Sequence, residues 1–265
     1  MNYPKIIYVI ILLLKTTMLS GFGIDLLSSP IIISNAEIYL LSKTPETTFY
    51  QPAKQDLGFS LSHSNPHSFR ELNVFHLASQ ITFQKELFSL GLLVLDNNHI
   101  SDKTLYLGYS KKFNNLSLGS NVKYYNQSVS GYSTLDTFTL NMGAIWNVNT
   151  FTHGFTYSNI TNTSKSGINL HTVVKYECMI TPIDTTKFAV SFEKERYFDM
   201  RYAFAVSHNI NNLLVLSTGF ISNPNQFSAG LLFIVSNLEI SVGIKTHQYL
   251  RLTQAIGLVY KPTQL

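Results

Sequence analysis

The sequence predicts an all-β protein: a single antiparallel transmembrane β-barrel of about 14 strands. Three observations predict it. Apolar residues alternate with small or polar ones through most of the chain, the period-two signature of strands. The alternating runs are about 9–13 residues long, enough for a tilted strand to cross a bilayer, whereas soluble strands average about 5–6. Charged residues make up only 13% of the chain and aromatic residues another 13%, against a soluble average near 25% charged.

The last two runs show the pattern most clearly. Leu238, Ile240, Val242 and Ile244 alternate with Glu239, Ser241, Gly243 and Lys245. Leu250, Leu252, Ile256, Leu258 and Tyr260 share one face, and Arg251, Thr253, Ala255, Gly257 and Val259 the other. Working along the chain, fourteen such runs cover approximately 57–64, 71–82, 86–96, 103–112, 115–127, 136–147 and 151–160, then 170–181, 187–195, 199–209, 213–222, 226–236, 237–246 and 249–260. The greasy face is predicted to meet lipid and the glycine-rich, polar face to line a lumen. His153 and Gln254 fall on the outward face, so they are expected near an interface or a bulge. The lone cysteine, Cys178, shares the outward face with Val174 and Tyr176. It excludes an internal disulfide and a cysteine-based metal cluster.

Link lengths supply a second test. Short turns are predicted near 83–85, 113–114, 148–150, 182–186, 210–212 and 236–237. Links at the other end, such as 97–102, 128–135 and 161–169, are longer and rich in Ser, Asn and Gly, although those near Tyr197 and His247 are short. Long and short links alternate in this way in outer-membrane barrels. Ahead of the strands, residues 1–23 read as a signal peptide, with Lys5, an apolar stretch from Ile6 to Leu14, and small residues at Ser20, Gly21 and Gly23. Without Lys5 and Lys15 the chain has 17 basic and 15 acidic residues, a balance too even to attract nucleic acid.

Residues 24–56 break the alternation and end in Phe49-Tyr50-Gln51-Pro52-Ala53. This segment resembles that of the fatty-acid-transporter-like outer-membrane barrels and the related PorV/PorQ-like barrels of type IX secretion. In those families a small-residue segment runs into an Asn-Pro-Ala-Gly motif and plugs the lumen. Pro45, Tyr50, Pro52 and Ala53 match. Gln51 stands where Asn is usual, Lys54 follows in place of Gly, and Asn35-Ala36-Glu37 replaces a glycine-rich stretch. Residues 116–125, 138–146 and 151–159 resemble that family's strand and following hairpin, and fourteen strands is its count. The resemblance implies an outer membrane of Gram-negative type, outer-membrane lipid as surroundings, and a division into signal peptide 1–23, plug 24–56 and barrel 57–265. It implies a non-enzymatic component of a secretion or envelope assembly with secretion-machinery partners. The alternative it implies is a passive transporter of hydrophobic ligands such as long-chain fatty acids.

The candidate lumen-lining charges are Lys123, Lys175, Glu177, Arg201, Glu239, Lys245 and Arg251, and the plug motif is Tyr50, Gln51, Pro52 and Ala53. The charges are expected to pair with one another to fill the interior, or to hold a plug or select solutes. Inward glycines recur at Gly108, Gly119, Gly143, Gly154, Gly219, Gly230, Gly243 and Gly257. They read first as barrel curvature, and alternatively as room for an inserted segment. Partly apolar inward positions, Leu93, Leu95, Leu232 and Ile234, suit a hydrophobic path. Ser62/His63 and Ser207/His208 are adjacent, so within a strand their side chains point to opposite faces and form no dyad. His63 and His67 have no partner pair for a metal site. No cofactor is expected.

Overall fold

The computed structural model describes residues 29–262, apart from 70, 85, 98–99, 132–133 and 165–169. The predicted signal peptide, residues 24–28 of the plug and the tail from 263 lie outside the described residues. The described residues form fifteen strands: β1 (Gly58–Asn65), β2 (Val74–Phe83), β3 (Glu86–Asp96), β4 (Ile100–Phe113), β5 (Leu116–Val129), β6 (Leu135–Val148), β7 (Phe151–Ser158), β8 (Asn162–Ser164), β9 (Val173–Ile183), β10 (Thr186–Glu195), β11 (Arg201–Asn211), β12 (Leu214–Ile221), β13 (Gln226–Val235), β14 (Leu238–Lys245) and β15 (Thr253–Tyr260).

All pairings are antiparallel, and the sheet closes on itself through β1 and β15, with Phe59 opposite Tyr260. β7 pairs with β6 through residues 142–148 and the short β8 pairs with it through 137–139, so the two occupy one position in the wall. The result is a closed fourteen-stranded barrel. Full closure leaves no unpaired edge, a requirement for backbone in hydrocarbon.

The alternation sets which face meets lipid. On β14, Leu238, Ile240, Val242 and Ile244 are exposed while Glu239 and Ser241 are buried. On β1, Phe59 and Leu61 are exposed while Ser60, Ser62 and Ser64 are buried. Dozens of large apolar side chains cover the exterior in this way, far beyond the patch that a soluble monomer shows. Cys178 is half-buried on the same outward parity, between the buried Glu177 and half-buried Met179. His153 lies near the turn end of β7, where its ring stacks on Trp146 at 4.8 Å and its Nδ1 is 2.8 Å from the Tyr176 hydroxyl. Gln254 lies at the opposite end of β15, with its amide 3.4 Å from Ser68. Both outward polar residues therefore sit near a membrane face, where their cost is small.

Six links, at 84–85, 114–115, 149–150, 184–185, 212–213 and 236–237, are two residues long, and all lie at one end. Gln84, Asn114, Asn149 and Ser236 open four of them with positive φ, as the mirror-image turns that suit twisted hairpins require. Links at the other end are longer. The longest run is 159–172, interrupted by β8, and 246–252 spans seven residues. That last link corrects the sequence reading. The strand predicted from 249 begins at Thr253, so the alternation of 249–252 belongs to a loop.

Residues 29–56 do not join the wall. They are almost wholly buried and form two short helices, Pro30–Ser34 and Thr47–Tyr50, and a 3₁₀ turn, Tyr39–Leu41. The first helix begins with proline, whose missing N–H is one that a first turn leaves unbonded anyway. The segment lies inside the barrel, and the first helix packs on β13, β14 and β15.

Candidate functional site

The candidate site is the filled lumen, and its construction starts at a reversal in the N-terminal segment. Ala36 and Glu37 both have positive φ, 51° and 61°, where the families that the sequence resembles carry glycines. Such backbone costs an L-residue about 1 kcal/mol or more. The reversal sends the Glu37 side chain toward the wall, where its carboxylate accepts from Lys245 Nζ at 2.6 Å and from Arg201 at 3.0 Å. Lys175 Nζ donates to the Glu37 carbonyl oxygen. Arg201 also reaches Glu193 at 2.7 Å, and Lys175 lies 3.4 Å from Glu193 and 3.6 Å from Glu177. Two wall cations thus meet the Glu37 carboxylate and a third its backbone carbonyl, and Glu177 and Glu193 of the wall pair with those cations.

Glu177 serves a second purpose. Its two oxygens accept from the Tyr39 and Leu40 backbone N–H groups at 2.8 and 3.1 Å. These are N–H groups that a 3₁₀ turn leaves without internal partners. Lys175 Nζ sits 3.7 Å from the centroid of the Tyr39 ring, in range of a cation–π contact. Further along, Gln51 Nε2 donates to Thr156 Oγ1 at 2.8 Å and to the Phe155 carbonyl at 3.2 Å. Asn121 Nδ2 donates to the Thr48 carbonyl at 2.7 Å, and Asn141 supports it by donating to Asn121 Oδ1. Ser228 closes the row by donating to the Ser34 carbonyl at 3.1 Å.

The other half of the lumen holds an aromatic and aliphatic cluster. Phe49 meets Tyr50, Tyr106 and His76 edge-on, with centroids 4.7, 5.1 and 5.4 Å apart. Ile32, Val74, Leu93 and Leu95 complete that cluster. The Lys123 ammonium, wholly buried, lies 3.5 Å from the centroid of Phe49.

The predicted residues therefore divide. Lys175, Glu177, Arg201 and Lys245 are brought together around the segment. Lys123 stands apart, against the aromatic cluster. Glu239 pairs with Lys261 at 2.6 Å toward the turn end. Arg251 is exposed in the link before β15 and lies outside the lumen, because the strand starts two residues later. Tyr50, Gln51, Pro52 and Ala53 are all buried within the barrel. Sequence reasoning missed Glu37, Glu193, Glu46 and His76. Glu193 had a usable signal, since it follows the inward parity of Ala189 and Ser191. Glu37 and Glu46 had none, because their segment has no period.

The inward glycines are the clearest correction. A Cβ at Gly119 would strike the Pro52 carbonyl, one at Gly243 the Pro30 carbonyl, and those at Gly143, Gly154, Gly219, Gly230 and Gly257 would press on Gln51, Leu40, Ala36, Ser34 and Pro30. Of the eight, Gly108 meets wall residues only, among them Ser89 and Asn121. The lumen is narrowed by the segment, and glycine is what lets wall and segment backbones approach.

Open space remains at both ends of the lumen. A cavity of about 430 Å³ opens toward the long links, over Glu37, Tyr39, Tyr50, Arg201 and Lys245. A second, about 200 Å³, opens toward the short turns. Among the described residues no cluster of three metal-ligating side chains is present.

No family model and no curated protein matches the chain. Solved structures do. The CymD monoaromatic hydrocarbon channel aligns over 89% of this chain and 98% of its own, with TM-score 0.64 and 8% identity. The Pseudomonas putida toluene transporter TodX aligns over 91% and 98%, with TM-score 0.64 and 9% identity. A Pseudomonas aeruginosa FadL homologue aligns over 91% and 100%, with TM-score 0.62 and 10% identity. The chain shares the fold of these three channels. With its apolar exterior and closed wall, the chain is an outer-membrane barrel.

Within this barrel the Glu46 carboxyl of the segment is raised toward neutrality. Burial pushes the Glu46 carboxyl up from 4.5 to about 7, against a hydrogen bond from Ser62 at 3.0 Å. A raised carboxyl favours the protonated form in the folded state. Its contribution is therefore complete below pH 4.5 and is lost as pH rises toward 7, by about 3 kcal/mol at most. Hydrogen-exchange protection of residues 44–51 is expected to fall between pH 5 and 8, after correction for intrinsic exchange. Glu46→Gln is expected to remove that fall; an unchanged fall in the variant assigns it to another group.

Proposed function

We propose that this protein is a passive conduit for small hydrophobic molecules across the outer membrane, closed at rest by residues 29–53. One observation carries the reading. Val74, Leu93, Leu95 and Tyr106 point inward and are buried against Ile32, Phe49 and Tyr50. A porin would line that space with polar groups and water. A molecule that replaces part of this packing needs an apolar surface of its own.

The similar solved structures support the same reading, since CymD is a monoaromatic hydrocarbon channel and TodX a toluene transporter. They lend no support to a secretion-assembly role with protein partners, the other function that the sequence suggested. The segment is held to the wall by hydrogen bonds and ion pairs and by close packing, so its displacement needs no covalent step.

Uptake by cells with an intact lipopolysaccharide leaflet tests the proposal. Cells making the protein are expected to accumulate labelled toluene several-fold faster than cells without it, with no change for arabinose. Equal toluene rates, or faster arabinose entry, would overturn it. Mass spectrometry of protein taken gently from its native membrane gives a second test. A bound hydrophobic molecule supports the conduit, and a stoichiometric protein partner with no such ligand opposes it.

A further inference from the structure

We propose that Ser29, Glu46, Ser60 and Ser62 form a binding site for a single sodium ion, held between the segment and β1. The site stands whatever molecule the lumen carries.

Its residues come from three stretches of chain. Ser29 and Glu46 are the N-cap residues of the helices Pro30–Ser34 and Thr47–Tyr50. A cap side chain ordinarily accepts from the N–H groups of its own first turn, and neither of these does. Ser29 bears instead on the Glu46 carboxyl, and Glu46 accepts from the Ser62 hydroxyl of β1 at 3.0 Å. Ser60, two residues earlier on the same inner face of β1, bears on that carboxyl too. All four residues are at most 2% exposed.

Two observations point to a cation. The Ser29 and Ser60 hydroxyl oxygens are buried and have no hydrogen-bond partner among the described residues. Hydroxyls left so are costly, and each has lone pairs to offer. The second observation is charge. Glu37, Glu177, Glu193 and Glu239 each have a lysine or arginine nitrogen within 4 Å. Glu46 has none among the described residues, and His76 Nδ1, at 3.9 Å, is beyond hydrogen-bond reach. A carboxylate buried this deeply needs a positive partner to stay ionised.

The donors choose the ion. One carboxylate and three hydroxyls are hard oxygen ligands, with no thiolate to select a soft metal. Calcium sites gather more ligands and more charge, whereas here one negative charge balances one positive charge. The 3.0 Å approach of Glu46 and Ser62 favours the smaller sodium over potassium. A bound ion would tie Ser29, at the start of the described segment, and Glu46, near its end, to one strand of the wall.

The test uses the full-length protein in detergent at pH 8, with sodium replaced by choline at matched ionic strength. Equilibrium dialysis with radioactive sodium is expected to find one bound ion per barrel. Amide exchange at residues 31–34 and 46–51 is expected to slow at least tenfold on adding sodium chloride and to respond little to potassium chloride, while strand amides keep their protection. Glu46→Gln and, separately, Ser29→Ala with Ser60→Ala are expected to abolish both the binding and the slowing. The alanine pair keeps the carboxylate and loses only two hydroxyls, so it separates the site from the fold of the segment. Heat-modifiability on a gel shows whether each variant folds, and dialysis of the wild type decides if one does not. Absence of bound sodium, or equal exchange in sodium and choline, overturns the proposal and leaves a bridging water as the partner of the hydroxyls. Sodium binding that survives either folded variant overturns it as well, as does a response to calcium in place of sodium.

Discussion

Deleting residues 29–53 is expected to turn a closed barrel into a conducting pore. In a planar bilayer the intact protein should give few resolvable current steps, and the deletion variant long-lived openings at every insertion. The reason is volume. The segment touches inward glycines on β5, β6, β7, β12, β13, β14 and β15, half of the fourteen wall positions, so nothing comparable remains in the lumen once it is gone. The wall itself keeps its hydrogen-bonded closure through β1 and β15 and its apolar exterior, which do not involve the segment. Retained heat-modifiability on a gel would show that the variant folds. A folded variant with unchanged conductance would show that the segment does not block the passage.

Glu37→Ala should produce the second largest effect. It leaves Arg201 and Lys245 in the lumen without the carboxylate at 3.0 and 2.6 Å, and removing one partner of a buried pair typically costs about 3–5 kcal/mol. Because the lost partner belongs to the segment, docking of the segment bears the cost rather than the wall. Amide exchange at residues 31–41 should accelerate by at least a hundredfold, with brief channel openings, while strand amides stay protected. Burial opposes the charge of Glu37, but Lys245, Arg201 and Lys175 outweigh it and hold the carboxyl well below its usual 4.5. A lowered carboxyl stabilises above its unfolded value and loses that contribution only as pH falls through the lowered one. The wild-type latch should therefore survive at pH 4, and release there would contradict the assignment.

The strands and turns were legible because they are written locally. Membrane strands display one apolar face continuously, so Leu238 through Ile244 and Phe59 through Leu61 announce their orientation residue by residue. Asn114 and Asn149 mark turns for equally local reasons. The contents of the lumen were only half legible. Lys175 and Glu177 carry inward parity in the sequence, but Glu37 belongs to an aperiodic segment and meets Lys245 across more than two hundred residues. The same distance hid the meaning of the glycines. Gly243 reads as a bend until Pro30 is placed beside it. Arg251 was misplaced for the opposite reason: the loop at 249–252 happens to continue the alternation of the strand after it.

The packing of the first helix on β13, β14 and β15 bears on how the barrel comes together. The helix precedes β1 in the chain and rests on the strands made last, and β15 must find β1 across almost the whole intervening sequence before the wall can close. Contacts of such long separation form slowly. A segment already attached to β1 and shaped to fit the final three strands is a mandrel: the sheet can curl around it, and its grip on Gly243 and Gly257 draws the last strands toward the first.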